Sequence, residues 1–162
     1  MSTATKLAPM LGRLSQICDT GHALAIHIRF TRPSLLYQTY SREWMDYYSQ
    51  NGLFLTDPVV RWGLEHTGMI YWNDLKESDP NGVLTKADSF GLKNGITYAT
   101  GDVASRTITG WTKSGEPFTQ DEINELVQLT NDIHALTEGI ETYSEALMNQ
   151  LLSIDPVGEI PE

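Results

Sequence analysis

Tyr40, Trp44, Tyr48, Asp57 and Trp72 combine apolar bulk with hydrogen-bonding tips within one stretch of the chain. The spacing Tyr40-x-x-x-Trp44-x-x-x-Tyr48 puts Trp44 and Tyr48 on one helix face, with Tyr40 just ahead of it. Tyr O–H and Trp N–H groups sit comfortably in an apolar wall only when each has a partner. Asp57 precedes Pro58, Val59 and Val60, a setting where an ionised carboxylate is costly unless it accepts hydrogen bonds. Taken alone, the Asp-Pro pattern favours a helix N-cap. Acceptance from a ligand N–H is the other account, and the two are compatible. Each aromatic taken singly also fits ordinary core packing; their joint spacing is what points to a site. Donors for carbonyls, an acceptor for an N–H and an apolar remainder that includes Val60 describe binding of a neutral small molecule, not catalysis.

Other chemistries lack their residues. His22, His27, His66 and His134 are dispersed without metal-ligand spacing, and no nucleophile elbow, dinucleotide fingerprint or P-loop occurs. Gly91 and Gly95 have no Lys-Ser/Thr after them, so turn geometry explains them better than a phosphate cradle. Cys18 cannot form an internal disulfide and reads as a small buried residue.

Several elements must position these residues. Apolar positions at Leu7, Met10, Leu11, Leu14 and Ile17 predict a first helix. Ala23 to Phe30 alternates as a strand, with Leu24, Ile26, Ile28 and Phe30 on one face, and Leu35 to Tyr40 is its partner across Arg32-Pro33-Ser34. Ser41 caps the helix that carries Trp44, and a second helix starts at Asp57-Pro58. Met69 to Trp72 is a strand, Thr85 to Phe90 a brief helix, and Ile96 to Thr100 and Arg106 to Thr112 are strands joined at Asp102 to Ser105. Thr119 caps a final helix running to about Leu152, with Leu126, Ile133, Ile140 and Leu147 at heptad spacing. The expected fold is α/β: an α-β-α sandwich with a central, mainly antiparallel sheet of about five strands flanked by helices. Residues 1–152 are expected as one domain and 153–162 as a tail or the start of a linker.

The chain has 162 residues, and its 11 Lys and Arg against 21 Asp and Glu give a net charge of −10. Such a surface repels a phosphate backbone, so nucleic acid contact is not expected from this segment. No apolar run approaches a membrane span, and Met1 to Pro9 has no leader-like apolar core, so a cytoplasmic protein is expected.

The ordered set of Tyr40, Trp44 and Tyr48, Thr56-Asp57-Pro58-Val59-Val60, Trp72 and Gly91-Leu92-x-x-Gly95-Ile96 resembles the autoinducer-binding domain of LuxR-type quorum-sensing regulators. The resemblance spans about residues 7 to 152, and the offsets from Trp44 to Trp72 need no gap. It implies an N-acyl homoserine lactone as ligand and no cofactor, metal or enzymatic activity. It further implies that Trp72 donates to the lactone carbonyl, Asp57 accepts from the amide N–H, Tyr48 donates to the acyl carbonyl and Trp44 packs over the lactone ring. Tyr40 and a last-strand hydroxyl, Thr109 or Thr107 with Thr109 preferred, would hold the same amide. A homodimer through the long C-terminal helix is the implied assembly. No helix-turn-helix module follows Glu162, so the chain is expected to be a sensor domain taken from a regulator. A naturally short form that inhibits a full-length partner is the alternative.

Overall fold

The computed structural model describes residues 2–159. Helix α1 (Thr3–Ile17) is capped by Ser2, whose hydroxyl accepts from the Thr5 N–H, and it buries Leu7, Leu11 and Leu14. Strands β1 (Gly21–Ile28) and β2 (Leu35–Gln38) follow, then α2 (Arg42–Gln50) and α3 (Pro58–Glu65). β3 (Gly68–Tyr71), α4 (Val83–Ser89), β4 (Ile96–Thr100), β5 (Arg106–Thr112), α5 (Gln120–Leu136) and α6 (Glu145–Leu152) complete the described strands and α-helices. The five strands form one antiparallel sheet, as the sequence led us to expect, and their order is β2-β1-β5-β4-β3.

The sheet separates two unlike layers. On one face, Leu24, Ile26, Leu35, Tyr37, Ile96 and Trp111 pack with α1, α5 and α6 into the main core. The other face receives α3, where Ile28, Ala99 and Ile108 meet Trp62 and Leu64. The approach there is close: a Cβ on Gly63 would stand 2.7 Å from the Ile108 side chain. Arg106 locks this arrangement by donating to the carbonyls of Gly63, Leu64 and His66, placing a cation at the C-terminus of α3.

Three sequence expectations are corrected. Ile28 does not share a face with Leu24 and Ile26. The register between β1 and β5 shifts between Ala25 and Ile28, and His27 has a positive φ of 47°; such a bulge inserts one residue and re-aims those after it. His27 is held toward α5 by Ser105 and the His134 carbonyl, which leaves Ile28 facing α3, while Phe30 is fully exposed.

Nor is the final helix continuous. It ends at Leu136, passes Gly139 in a left-handed conformation (φ 79°) and a 3-10 turn at Ile140–Thr142, and restarts after Ser144, which caps α6. Thr137 turns its hydroxyl back to the Ile133 carbonyl, and glycine is favoured where the chain reverses beyond a helix end. α6 then folds onto the same core through Leu151, whose carbonyl accepts from the Tyr37 hydroxyl at 2.8 Å. Ile140, Leu147 and Leu151, on the segment expected to pair with a second copy, are therefore packed in or against the domain's own core.

The expected tail is likewise packed where it is described. Ile154 is buried, and Gly158 lies so close to α1 that a Cβ would approach the Ala8 carbonyl to 2.5 Å. Residues 160–162 of that segment lie outside the described residues.

Candidate functional site

On the face that carries α3, the sheet does not close completely against its helices. A cavity of about 510 Å³ lies between β1, β2 and β5 below and α2, α3 and α4 above. Its floor follows from strand register. Thr97 of β4 pairs with Gly110 of β5, Gly110 with Ala23 of β1, and Ala23 with Gln38 of β2, so one row crosses four strands on the cavity face. Side chains in such a row point the same way. Its centre, a glycine and an alanine, leaves the space that larger residues would fill.

Tyr40, Trp44, Tyr48, Asp57, Val60 and Trp72 all line this cavity, so the structure brings together six of the seven expected site residues. The Asp57 carboxylate is the expected N-cap and also accepts from a side chain of the cavity wall. One oxygen accepts from the Val59 N–H at 2.9 Å as an N-cap, and the other accepts from the Tyr48 hydroxyl at 2.8 Å. A carboxylate has lone pairs for further donors. Burial pushes the Asp57 carboxyl above its usual range, against the pull of the Tyr48 and Val59 hydrogen bonds. Burial first, and Asp57 second, raise the Tyr48 phenol, so it stays a neutral donor. Burial does the same to Tyr40, whose hydroxyl donates to the Gly110 carbonyl at 3.3 Å.

The two tryptophans use their indole N–H groups differently. The Trp72 indole N–H is used within the protein, donating to the Thr97 hydroxyl at 2.9 Å. Its ring lies flat over Gly95, where a Cβ would come within 2.0 Å, so only glycine admits it. Trp44 is buried among Tyr47, Tyr48 and Phe90, with ring centroids 5.3–6.2 Å away. Its indole N–H makes no hydrogen bond among the described residues and is not among the sealed polar atoms, and Trp44 lines the cavity. Trp72 thus spends its N–H on Thr97 and packs on Gly95, while the Trp44 N–H is unpaired among the described residues.

Thr109 is not at the site. It faces α5 with Tyr98 and Trp111, and its hydroxyl donates to the Ala23 carbonyl at 2.8 Å. Thr107 shares that face, bonded to His134 at 2.6 Å. The cavity-facing position of β5 between them and Trp111 is Gly110, which carries no hydroxyl. A Cβ there would meet the Tyr40 hydroxyl at 3.1 Å and the Trp72 ring at 3.4 Å. Sequence reasoning missed Thr97, Gly110 and Gln38. A glycine inside a strand is itself a sign of close approach, and Gly110 could have been found that way. Among the described residues, no group of three His, Cys, Asp or Glu could hold a metal ion, and no helix is long and apolar enough to cross a membrane.

Known proteins share this build. The family model of the autoinducer binding domain matches residues 24–137. The transcriptional activator AhyR of Aeromonas hydrophila is 29% identical over 103 residues, spanning 57% of this chain and 40% of that protein. SolR of Ralstonia nicotianae is 25% identical over 113 residues, spanning 68% and 48%. The chain therefore spans less than half the length of these curated relatives. Among solved structures, SdiA in complex with octanoyl-rac-glycerol superposes with a TM-score of 0.65 at 21% identity, covering 90% of this chain and 67% of that one. The solution structure of E. coli SdiA residues 1–171 gives 0.58 at 22% identity, covering 83% and 84%. With most of the chain matched by that family model, and the SdiA fold around its cavity, the protein belongs to the autoinducer-binding domain family of LuxR-type regulators.

Proposed function

We propose that this domain is a receptor for an N-acyl homoserine lactone, held between the sheet and helices α2, α3 and α4. The buried Asp57 carboxylate carries the reading. It faces the cavity already oriented by Tyr48 and the Val59 N–H, and an amide N–H is the donor that completes it. The Trp44 N–H then donates to the lactone carbonyl, Trp72 packs against the ring over Gly95, and the Tyr48 hydroxyl turns its one hydrogen from Asp57, now bonded to the amide N–H, to the acyl carbonyl. Ala23, Ala25, Ile28, Val60 and Ile108 form the apolar wall for the chain. A cavity of this size lies within the roughly 300–1,000 Å³ range of small-molecule sites.

Ligand binding here is sensing, with no chemical step. Binding to the folded state alone stabilises it; in a full-length regulator that gain biases a dimer whose DNA-binding modules read the promoter. A stand-alone form that pairs with a full-length regulator uses the same pocket.

Thermal melts with and without a panel of lactones test the reading. Stabilisation by some members, lost in Asp57→Asn and reduced in Trp44→Phe, is expected; no shift with any lactone, in protein shown to be ligand-free, overturns it. The acylglycerol found in SdiA belongs in the same panel, because its hydroxyls could also reach Asp57. Its ester has no N–H, so Asp57→Asn should penalise lactones more than the glyceride.

A further inference from the structure

Apart from the Trp44 N–H, which the lactone reading uses, the polar side chains on the cavity wall are nearly all accounted for. Tyr40, Tyr48 and Trp72 donate within the protein, Asp57 accepts, and Thr31 and Ser49 stand at exposed positions where water serves them. Gln38 is different. It lines the cavity half-buried from edge strand β2, and its side-chain amide makes no hydrogen bond among the described residues. It ends the row that starts at Thr97 beneath Trp72 and crosses Gly110 and Ala23. With strands about 4.8 Å apart, its Cα stands about 10 Å across the floor from Gly110. The adjacent row on the cavity face offers Leu36, Ala25 and Ile108, which have nothing for an amide to bond.

We infer that Gln38 is a specificity residue that recognises a hydrogen-bonding oxygen carried on the acyl chain of the ligand. This rests on the lactone reading and refines it. A head group anchored between Trp44, Asp57 and Trp72 sends the start of its chain over Gly110 and Ala23, the two floor positions without bulk, toward Gln38. An amide both donates and accepts, so it serves a ketone or a hydroxyl. A chain of plain methylenes would displace water from the cavity side of the amide and offer it no bond in return, which disfavours the unsubstituted ligand.

The test measures dissociation constants for wild type, Gln38→Leu and Gln38→Glu against three lactones of one acyl length: unsubstituted, 3-oxo and 3-hydroxy. Wild type is expected to bind a substituted form roughly five- to tenfold more tightly than the unsubstituted one. Gln38→Leu should abolish that ratio. Gln38→Glu, whose carboxylate only accepts, should keep the 3-hydroxy form and reject the 3-oxo form. A wild-type preference for the unsubstituted lactone, or a ratio unchanged in Gln38→Leu, overturns the role of Gln38 while leaving the lactone reading intact. Failure of wild type to bind any of the three, or of a wider chain-length set, overturns the lactone reading and this inference with it.

Discussion

The two faces of one sheet do opposite work with neighbouring residues of the same strands. In β5, Thr107, Thr109 and Trp111 point toward α5, where both hydroxyls are tied to protein partners. Ile108 and Gly110 point the other way, into the cavity wall. β1 repeats the division, with Leu24 and Ile26 in the core and Ala23 and Ala25 on the cavity floor. Bulk on one face supplies stability, and its absence on the other makes room for a ligand. A period of two residues is enough to separate the two functions.

The largest effect should come from the packed face. Leu126 is fully buried in α5, and Leu126→Ala is expected to lower unfolding free energy by about 2–5 kcal/mol. Denaturant titration measures the loss, and affinity for a binding lactone in the remaining folded fraction should stay near wild type. A selective loss of affinity would break the division between the faces.

The same core also contains a pH-sensitive element. His22 is sealed there, and both ring nitrogens are without a partner among the described residues. Burial lowers its pKa from 6.5 to about 4. Between those values the unfolded chain binds the proton and the folded one does not, so stability falls as pH drops from 6.5 toward 4, by about 3 kcal/mol in all. His22→Leu should flatten that part of the profile. Asp57 acts in the opposite sense, since its raised pKa makes the folded state the better proton acceptor as pH falls.

On the cavity face, Gly95→Ala drives a methyl into the Trp72 ring and is expected to cost about 1–3 kcal/mol. Its distinguishing result is a disproportionate loss of ligand affinity, because the displaced indole is part of the site. The smallest effect belongs to Thr109→Val, which removes a hydroxyl bonded to Ala23. Stability should fall by about 1 kcal/mol with ligand affinity unchanged. A loss of affinity as large as that of Asp57→Asn would return Thr109 to the site and sharpen where the boundary between the faces runs.

Much of the site was legible because its signals are local. Helical spacing put Trp44 and Tyr48 together, Asp57-Pro58 announced both a cap and a buried acceptor, and Ser41 and Thr119 cap the helices they were expected to start. The alternation of the strands and their short connections were sufficient for an antiparallel sheet between helices. The ordered motif set carried the family.

What the tertiary structure alone decided are the matters of register and partner. Thr109 and Gly110 are adjacent in sequence, and only the pairing of Gly110 with Ala23 and Thr97 determines which faces the cavity. The bulge at His27 depends on Ser105 and His134, both far along the chain. Trp72 rather than Trp44 surrendered its N–H because Thr97 lies beneath it. Residue types and local periods can be read along the chain alone, since propensity and capping act over a few positions. Which side of the sheet each residue served was settled by contacts between distant segments, where a shift of one residue exchanges core for cavity.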